Sequence, residues 1–287
     1  MLMQFSEPIM PDFLFGTVGT PISTPNKPGG SIGAIQTLSN LGLHALELGW
    51  VQSVRISEET CALIKQESHN RSVSISVHAP YFINLNASDE EWPKSRQRLM
   101  DAAYYGYLAG STDVIFHPGS YFGAKPEEVL KVAIPRLSDC VNKLHIKGIP
   151  VLLRPETMGK SALLGSFEDT LEMSRLIPGV LPCLDFAHLH ARPGDGSINS
   201  TSEWSVYMEK YKKILGNDSL HALHIHLSGI EYSTKGEKNH LPLRESDLHL
   251  SDLFQVLKSA SCGGRILCES PVMEEDALYM QELWQSL

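Results

Sequence analysis

Eight short apolar runs, separated by polar stretches with helical patterning, constrain the fold of this chain more than any other feature. The runs are FLFGT, ALELG, VSISVHA, DVIFHP, VLLRPE, LPCLD, HALHIHL and RILCES. A buried strand followed by a crossover helix is the repeating unit of a parallel sheet, and eight such units close into a barrel. The sequence therefore predicts an α/β protein built on a (β/α)8 TIM barrel.

The length agrees with this prediction, because such a barrel takes roughly 250 residues and the chain has 287. We expect a single domain over residues 1–287, with no internal sequence repeat. The predicted strands are 13–17, 44–49, 73–78, 113–117, 151–156, 180–185, 221–227 and 265–269. The predicted helices are 31–41, one that starts at 57, 89–110, 125–147, 166–175, 201–215, 246–259 and 274–287.

The composition limits the classes of protein to which the chain can belong. A net charge of −9 argues against non-specific coating of nucleic acid, because such binding depends on counterion release from many phosphates. Five scattered cysteines without a CxxC pair indicate reduced, buried thiols. No apolar run has the length of a membrane span, and the opening MLMQFSEPIMP lacks the pattern of a signal peptide. We therefore expect a cytoplasmic protein.

Six of the apolar runs have, at their last or second-last position, a residue that can bind a metal ion: His78, His117, Glu156, Asp185, His226 and Glu269. A single histidine near a strand end is most often only a polar residue with satisfied hydrogen bonds. A parallel barrel, however, brings the carboxyl ends of all its strands to one mouth. Six such groups together would be costly there unless they bind something. The set predicts a metal centre at the C-terminal ends of the strands.

The ligand types indicate the class of metal. Imidazole and carboxylate ligands without thiolate suit Zn, Mn, Fe or Co. Three histidines and three carboxylates exceed what one tetrahedral ion can use, so at least two ions that share a carboxylate are expected. Two metal ions roughly 3.5 to 4 Å apart can stabilise the attacking and leaving oxygens of phosphoester cleavage.

Further candidates lie next to these strand ends. His188 and His240 could hold a third ion, although a loop histidine is commonly only solvated. His224 shares a strand face with His226, and we prefer His226 as the ligand because it lies nearer the strand end. Arg154 is interpreted as the structural partner of a buried carboxylate. Four other histidines are expected to be solvated: His145, His190, His221 and His249.

These motifs, taken in order, resemble the successive signatures of the endonuclease IV family of apurinic/apyrimidinic endonucleases. The matching segments are HAPYFINL (78–85), HPGS (117–120), PETMGK (155–160), CLDFAH (183–188), HLSG (226–229) and CESP (268–271). They cover nearly the whole chain, from VGTPIST after the first strand to the last strand. Each segment is short, but their order and spacing make the set fairly specific.

The resemblance implies a TIM-barrel phosphodiesterase that cleaves DNA 5′ to an abasic site with a cluster of three zinc ions. It implies that His78 and His117 hold one ion and that Glu156, the proposed catalytic residue, bridges two. The ligands of the second ion would be completed by Asp185, His226 and Glu269, and those of the third would include His188 and His240. The resemblance also implies a mechanism in which a hydroxide held between two ions attacks the phosphorus. Two ions, or Mn or Co in place of Zn, remain alternatives.

The resemblance also suggests how abasic DNA would be bound, by a protein expected to be monomeric. Tyr81 matches a position on a DNA-contacting loop of the family. Loop residues that could contact phosphate include Lys160 and Arg192, together with Lys27, Lys235 and Lys238. An abasic nucleotide unstacks at low cost, so a pocket that accepts a flipped sugar could provide selectivity.

The chain departs from the family pattern at the third ion. The family has an aspartate two residues before the loop histidine, but the segment GEKNH puts Lys238 at that place. A protonated lysine cannot be a ligand and would repel the ion. Glu237 could substitute if the loop has a different shape. The family's HLND is also HLSG here, and LEN is RPETM, so the chain is interpreted as a member of a divergent branch.

Two other functions fit part of the pattern. A sugar or sugar-phosphate isomerase or epimerase of the xylose isomerase-like superfamily would use one divalent ion, with Glu156 and Glu269 as the pair that moves protons. The acidic net charge favours it, but one ion does not require His78, His117 and His226 together. A binding protein in a degenerate barrel would have lost several ligands, whereas only one is lost here. The endonuclease is therefore preferred.

Overall fold

The computed structural model describes residues 12–287, and the eight predicted apolar runs form one parallel sheet. The described strands are Phe13–Val18 (β1), Ala45–Gly49 (β2), Ser74–His78 (β3), Asp113–Phe116 (β4), Leu152–Pro155 (β5), Cys183–Asp185 (β6), Leu223–Leu227 (β7), Gly229–Ser233 (β8), Gly236–Leu241 (β9) and Gly264–Cys268 (β10). All except β8 and β9 belong to the sheet, whose order is β5, β4, β3, β2, β1, β10, β7, β6. Parallel bridges from Leu153 to Val180 and from Glu156 to Cys183 close the ring. The predicted TIM barrel is confirmed.

Helices alternate with the barrel strands, as the crossover pattern predicts. They are Gly30–Asn40 (α1), Glu58–Arg71 (α2), Trp92–Leu108 (α3), Pro126–Ile146 (α4), Phe167–Leu176 (α5), Phe186–Ala191 (α6), Thr201–Leu215 (α7), Leu250–Ser259 (α8) and Glu274–Ser286 (α9). Most bounds lie within one or two residues of the prediction. The short helix α6 continues directly from β6 and carries the DFAHLHAR segment over the mouth of the barrel.

The predicted start of α3 at residue 89 is wrong, and Pro93 supplies the reason. The helix begins at Trp92, which places Pro93 in its first turn. There the missing N–H of proline has no intrahelical partner in any case. A helix that began at 89 would place Pro93 beyond that turn, where its ring clashes with the carbonyl four residues earlier.

The loop predicted after β7 is in fact the β8–β9 hairpin, whose strands are joined by two residues. Its sequence, GIEYSTKGEKNHL, lacks the apolar alternation from which strands are predicted. The hairpin also explains why α8 starts four residues later than expected. The Ser246 hydroxyl accepts hydrogen bonds from the backbone N–H groups of Ile230 and Leu248, at 3.1 and 3.2 Å, and fastens this segment to β8.

A buried ion pair ties the barrel together near the amino ends of its strands. Arg154 pairs with the carboxylate of Asp113, so the prediction that it serves a buried carboxylate is confirmed. Its terminal nitrogens each donate to a backbone carbonyl, one at Pro182 and one at Ala222, both at 2.9 Å. Burial alone would raise the pKa of Asp113, but Arg154 and Arg265 hold it well below its ordinary value. These contacts fix the segments that lead into β6 and β7.

Two further expectations concern the whole chain. All five cysteines are buried and free, as predicted. No helix within residues 12–287 is long and apolar enough to cross a bilayer. The opening segment MLMQFSEPIMP lies outside the described residues, and the single domain, the cytoplasmic location and the monomeric state stay predictions.

Candidate metal centre

Three overlapping groups of ligand-type side chains lie at the carboxyl ends of the barrel strands. Within each group, one candidate ligand atom per residue lies within 4.8 Å of the others. The first ligand group is His78, His117 and Glu156; the second is Glu156, Asp185, His226 and Glu269; the third is Asp185, His188 and His240. Glu156 and Asp185 are each shared by two groups, and a carboxylate with two oxygens can serve two ions. The structure thus brings together all eight residues singled out as ligands.

Glu156 lies at the centre of this arrangement, with its two oxygens directed to different histidines. Oε2 lies 3.1 Å from Nε2 of His78 and 3.4 Å from Nε2 of His117. Oε1 lies 3.3 Å from Nδ1 of His188 and 3.6 Å from Nδ1 of His226. Burial alone would raise the pKa of this carboxyl, but His117, His188 and His226 hold it well below its ordinary value. Glu156 is therefore a buried carboxylate held in place on both sides.

Three of the histidines share one orienting device, in which Nδ1 contacts a backbone carbonyl. The pairs are His78 with Ala79, His188 with Thr157 and His240 with Glu269, at 2.9, 2.9 and 3.1 Å. A carbonyl accepts only from a protonated nitrogen, so this contact fixes the proton on Nδ1. The lone pair of Nε2 is then free for a ligand. This is the arrangement that metal-binding histidines commonly adopt.

Two buried atoms of the second ligand group support occupation by a metal. Oδ2 of Asp185 and Nδ1 of His226 have no hydrogen-bond partner among the described residues. Burial, only partly offset by His188, raises the pKa of Asp185, and the charges of Glu269 and Glu156 add to the rise. A cation would satisfy both atoms and relieve the repulsion between the carboxylates. The oxygen and nitrogen donors suit Zn, Mn, Fe or Co, so the residues fit such ions.

Glu237, rather than Lys238, is directed toward the third ligand group. The register of the β8–β9 hairpin shifts by one residue, which makes Lys238 the extra residue of a β-bulge. Because side chains alternate along a strand, this extra residue turns Glu237 to the face that carries His240. Oε2 of Glu237 lies 3.6 Å from Nε2 of His188, which in turn lies 3.4 Å from Nε2 of His240.

A cavity of about 460 Å³ opens above the three groups and is lined by members of each. Tyr81 stands at its edge, where its ring stacks on the imidazole of His117 with centroids 4.7 Å apart. Burial, with the charge of Glu269 next in importance, raises the pKa of Tyr81 to about 12. Its hydroxyl is therefore a neutral donor at the mouth, and 47% of the residue is exposed.

The two basic residues proposed to bind substrate lie on or against the segment that follows β5. Lys160 is exposed. Arg192 instead donates to the backbone carbonyls of Met158, Lys160 and Leu163, at 2.8, 2.7 and 3.0 Å. These contacts give Arg192 a structural role, because its donors clamp the segment that carries Lys160, and its contact with phosphate stays a prediction.

One expectation about the other histidines is wrong. His190 is fully buried and not solvated. Its Nδ1 lies 3.2 Å from the carbonyls of Ser197 and Ile198, and its Nε2 lies 3.1 Å from Oδ1 of Asp247. Helix α6 carries the side chain inward, a direction that the sequence alone does not give. His145, His221 and His249 are exposed, as expected.

A buried carboxylate beneath the centre escaped the sequence analysis. Glu47 on β2 is completely buried and contacts both His224 and His226. The signal was present, because Glu47 is the one charged residue in the apolar run ALELG. It does not close that run, however, so the position of ligands at strand ends does not single it out.

Sequence comparisons relate the chain to proteins of one superfamily. The profile of the xylose isomerase-like TIM barrel family matches residues 35–286. An uncharacterised protein of Methanocaldococcus jannaschii is 35% identical over 275 residues, which are 96% of this chain and 97% of that protein. Endonuclease 4 of Thermus thermophilus is 27% identical over 206 residues, 68% of this chain and 73% of that protein. Matches to several bacterial proteins named probable endonuclease 4 span only about half of their length.

Two solved structures with different names have the same fold as this chain. Endonuclease IV from Thermus thermophilus superposes with a TM-score of 0.69 and 20% identity, covering 94% of this chain and 98% of that chain. A D-tagatose 3-epimerase-like protein also gives 0.69, with 18% identity and coverage of 94% and 96%. Identities this low show the fold alone. The resemblance to endonuclease IV is confirmed as a distant one, and the chain belongs to the xylose isomerase-like TIM barrel family.

Proposed function

We propose that the protein is a metal-dependent endonuclease that hydrolyses the DNA phosphodiester 5′ to an abasic site. The observation that carries the proposal is the number of ligands at the mouth of the barrel. The second ligand group alone offers four donors to one ion. His78, His117, His188 and His240 add four more, which a single ion does not require. Phosphodiester hydrolysis is a reaction that uses several ions at once.

Each residue of the centre then has a defined task. The first ligand group would hold one ion, the second another, and Glu156 would join them through its two oxygens. Bound divalent ions would supply Lewis acidity and lower the pKa of a water molecule, which is the chemistry that phosphodiester hydrolysis needs. Tyr81 would donate its hydroxyl hydrogen to a substrate oxygen at the mouth. Zn is the preferred metal, with Mn and Co as alternatives.

The third ligand group would hold a third ion with the help of Glu237. The β-bulge directs its carboxylate toward His188 and keeps the ammonium of Lys238 away, where it pairs with Glu231. Glu237 thereby takes the place of the aspartate that the family resemblance leads one to expect. We therefore favour three ions over two.

The surroundings of the centre favour a nucleic acid over a free monosaccharide. A second cavity of about 470 Å³ adjoins the mouth and shares Tyr81 and His117 with the first. Phe82 and Phe122 line it with 56% and 72% of their surface exposed. Exposed aromatic rings beside a phosphate-cleaving centre can stack on bases. An ordinary sugar pocket would enclose such rings.

The test is cleavage of a DNA duplex that carries one tetrahydrofuran abasic analogue, which β-elimination cannot cut. Protein reconstituted with Zn, Mn or Co should cut 5′ to the lesion and leave a 3′-hydroxyl. Undamaged duplex and chelated protein are the controls. Glu156→Ala should abolish cleavage with the fold intact, whereas Glu172→Gln, on an exposed helix surface, should not change it.

The alternative is a divalent-metal sugar or sugar-phosphate isomerase or epimerase. The observation in its favour is that Glu156 and Glu269 belong to the same ligand group, as a pair acting on one sugar would require. Failure to cut the abasic duplex with any of the three metals, together with turnover of ketoses or their phosphates, would establish this alternative. A metal content near one ion per chain would point the same way.

A further inference from the structure

Glu47 lies in the interior of the barrel, directly beneath the second ligand group. It is a strand residue of β2, completely buried, and its contacts are with side chains of β3 and β7. A buried carboxylate is expensive unless hydrogen bonds or a charge compensate it. Glu47 is neither one of the proposed metal ligands nor one of the proposed substrate contacts, so its burial calls for another explanation.

Hydrogen bonds hold one oxygen of Glu47 and leave the other facing a metal ligand. Oε2 accepts from the hydroxyl of Ser76 at 2.8 Å and contacts Nε2 of His224 at 2.9 Å. Oε1 lies 3.0 Å from Nε2 of His226. Among the described residues neither of these two atoms makes a hydrogen bond, although they face each other at that distance.

His226 is oriented differently from the other histidines of the centre. His78, His188 and His240 turn Nδ1 to a backbone carbonyl and Nε2 inward. His226 turns Nδ1 toward the centre, where it lies 3.4 Å from Oε1 of Glu269. Its Nε2 faces Oε1 of Glu47 instead. Glu47 thus occupies the place that a backbone carbonyl takes at the three other rings.

We propose that Glu47 is a positioning residue of the metal centre. Its carboxylate accepts the Nε2 proton of His226, which leaves the lone pair of Nδ1 for the ion in the second ligand group. A carboxylate in this position orients the ring and raises the basicity of the ligand nitrogen. Ser76 and His224 anchor the carboxylate from the other side. The inference rests on the proposed function only in that His226 binds a metal ion.

Metal affinity tests this role without reference to cleavage. Titration of the metal-free protein with Co²⁺ should show about 10- to 100-fold weaker binding for Glu47→Gln than for the wild type. Ser76→Ala, which removes only an anchoring hydrogen bond, should have a smaller effect. Unchanged Co²⁺ affinity in a folded Glu47→Gln protein would overturn the proposal. If Glu47→Gln does not fold, Glu47→Asp keeps the charge, shortens its reach and should show the same loss.

Two spectroscopic measurements separate this role from others. In zinc-loaded protein labelled with ¹⁵N-histidine, His226 should carry its proton on Nε2, and a proton on Nδ1 would overturn the proposal. Cys183, His224 and His226 also form a group of possible ligands deeper in the barrel. A thiolate-to-cobalt charge-transfer band would show that this deeper group binds the ion, and would likewise overturn it. A protein that binds metal as predicted but leaves abasic DNA intact would disprove the proposed function alone.

Discussion

Lys238 and Glu231 form an exposed ion pair across the β8–β9 hairpin, with Nζ 2.9 Å from Oε1. Glu231 also accepts from the side-chain amide of Asn239 at 3.1 Å, so the three residues share one face of the hairpin. His240 is on the other face, because side chains alternate along a strand. The β-bulge thus separates the lysine from the centre and brings Glu237 to the face of His240.

This relationship predicts that Glu237 affects metal content and Lys238 does not. Glu237→Gln should lower the number of tightly bound zinc ions from three to two per chain, because it removes the one carboxylate directed at His188 from the hairpin. Lys238→Ala should keep three ions, since it removes only an exposed ion pair. Metal analysis of both purified variants checks this. Equal metal content in the two variants would exclude Glu237 as a ligand.

The same residues mark the limit of what the sequence could predict. The ligands at strand ends can be predicted because six of the eight apolar runs have a ligand-type residue at or next to their last position. The barrel then brings those ends together, as for His78 and Glu156. The side to which Glu237 points depends on a one-residue shift of register in a hairpin without apolar alternation. The inward direction of His190 and the donors of Arg192 likewise depend on tertiary contacts. No pattern in the chain encodes those contacts.

The buried pair of Asp113 and Arg154 should contribute strongly to stability. Asp113→Ala would leave Arg154 and Arg265 facing each other without a counter-charge, and should cost on the order of 3 kcal/mol in free energy of unfolding. Asp139→Ala, which breaks a partly exposed pair with Lys143, should cost less than about 1 kcal/mol. Denaturant unfolding at pH 7 measures both.

The pH dependence of this stabilisation has a definite sign. The pKa of Asp113 is lowered in the folded protein, so the pair stabilises fully above the unfolded value of about 3.9. Its contribution is lost as the pH falls through the lower, folded value. The difference between wild type and Asp113→Ala should therefore be constant from pH 7 to about pH 5 and shrink only in stronger acid. A difference that grows on acidification would contradict this assignment.

Arg192 and Lys160 should respond differently to salt in DNA binding. Lys160 is exposed and free to approach a phosphate, so Lys160→Ala should reduce the slope of log affinity against log salt by about 0.9. Arg192→Ala should leave that slope unchanged, because its donors are used by the carbonyls of the segment after β5. Titrations with labelled abasic duplex at several salt concentrations measure both slopes. A reduced slope for Arg192→Ala would restore its predicted phosphate contact.

The exposed rings of Phe82 and Phe122 should contribute to affinity for DNA and not to the chemical step. Loss of a stacked base costs about 1 kcal/mol or more, so Phe122→Ala should raise the KM for abasic duplex about fivefold or more and leave kcat unchanged. Tyr107→Ala is the matched control, since this exposed ring lies near the end of α3 that faces away from the mouth. Steady-state kinetics of the three proteins decide the matter. If Phe122→Ala and Tyr107→Ala have the same KM as the wild type, the cavity lined by Phe82 and Phe122 does not bind bases. The surface around the metal centre would then no longer favour DNA over a small sugar as the substrate.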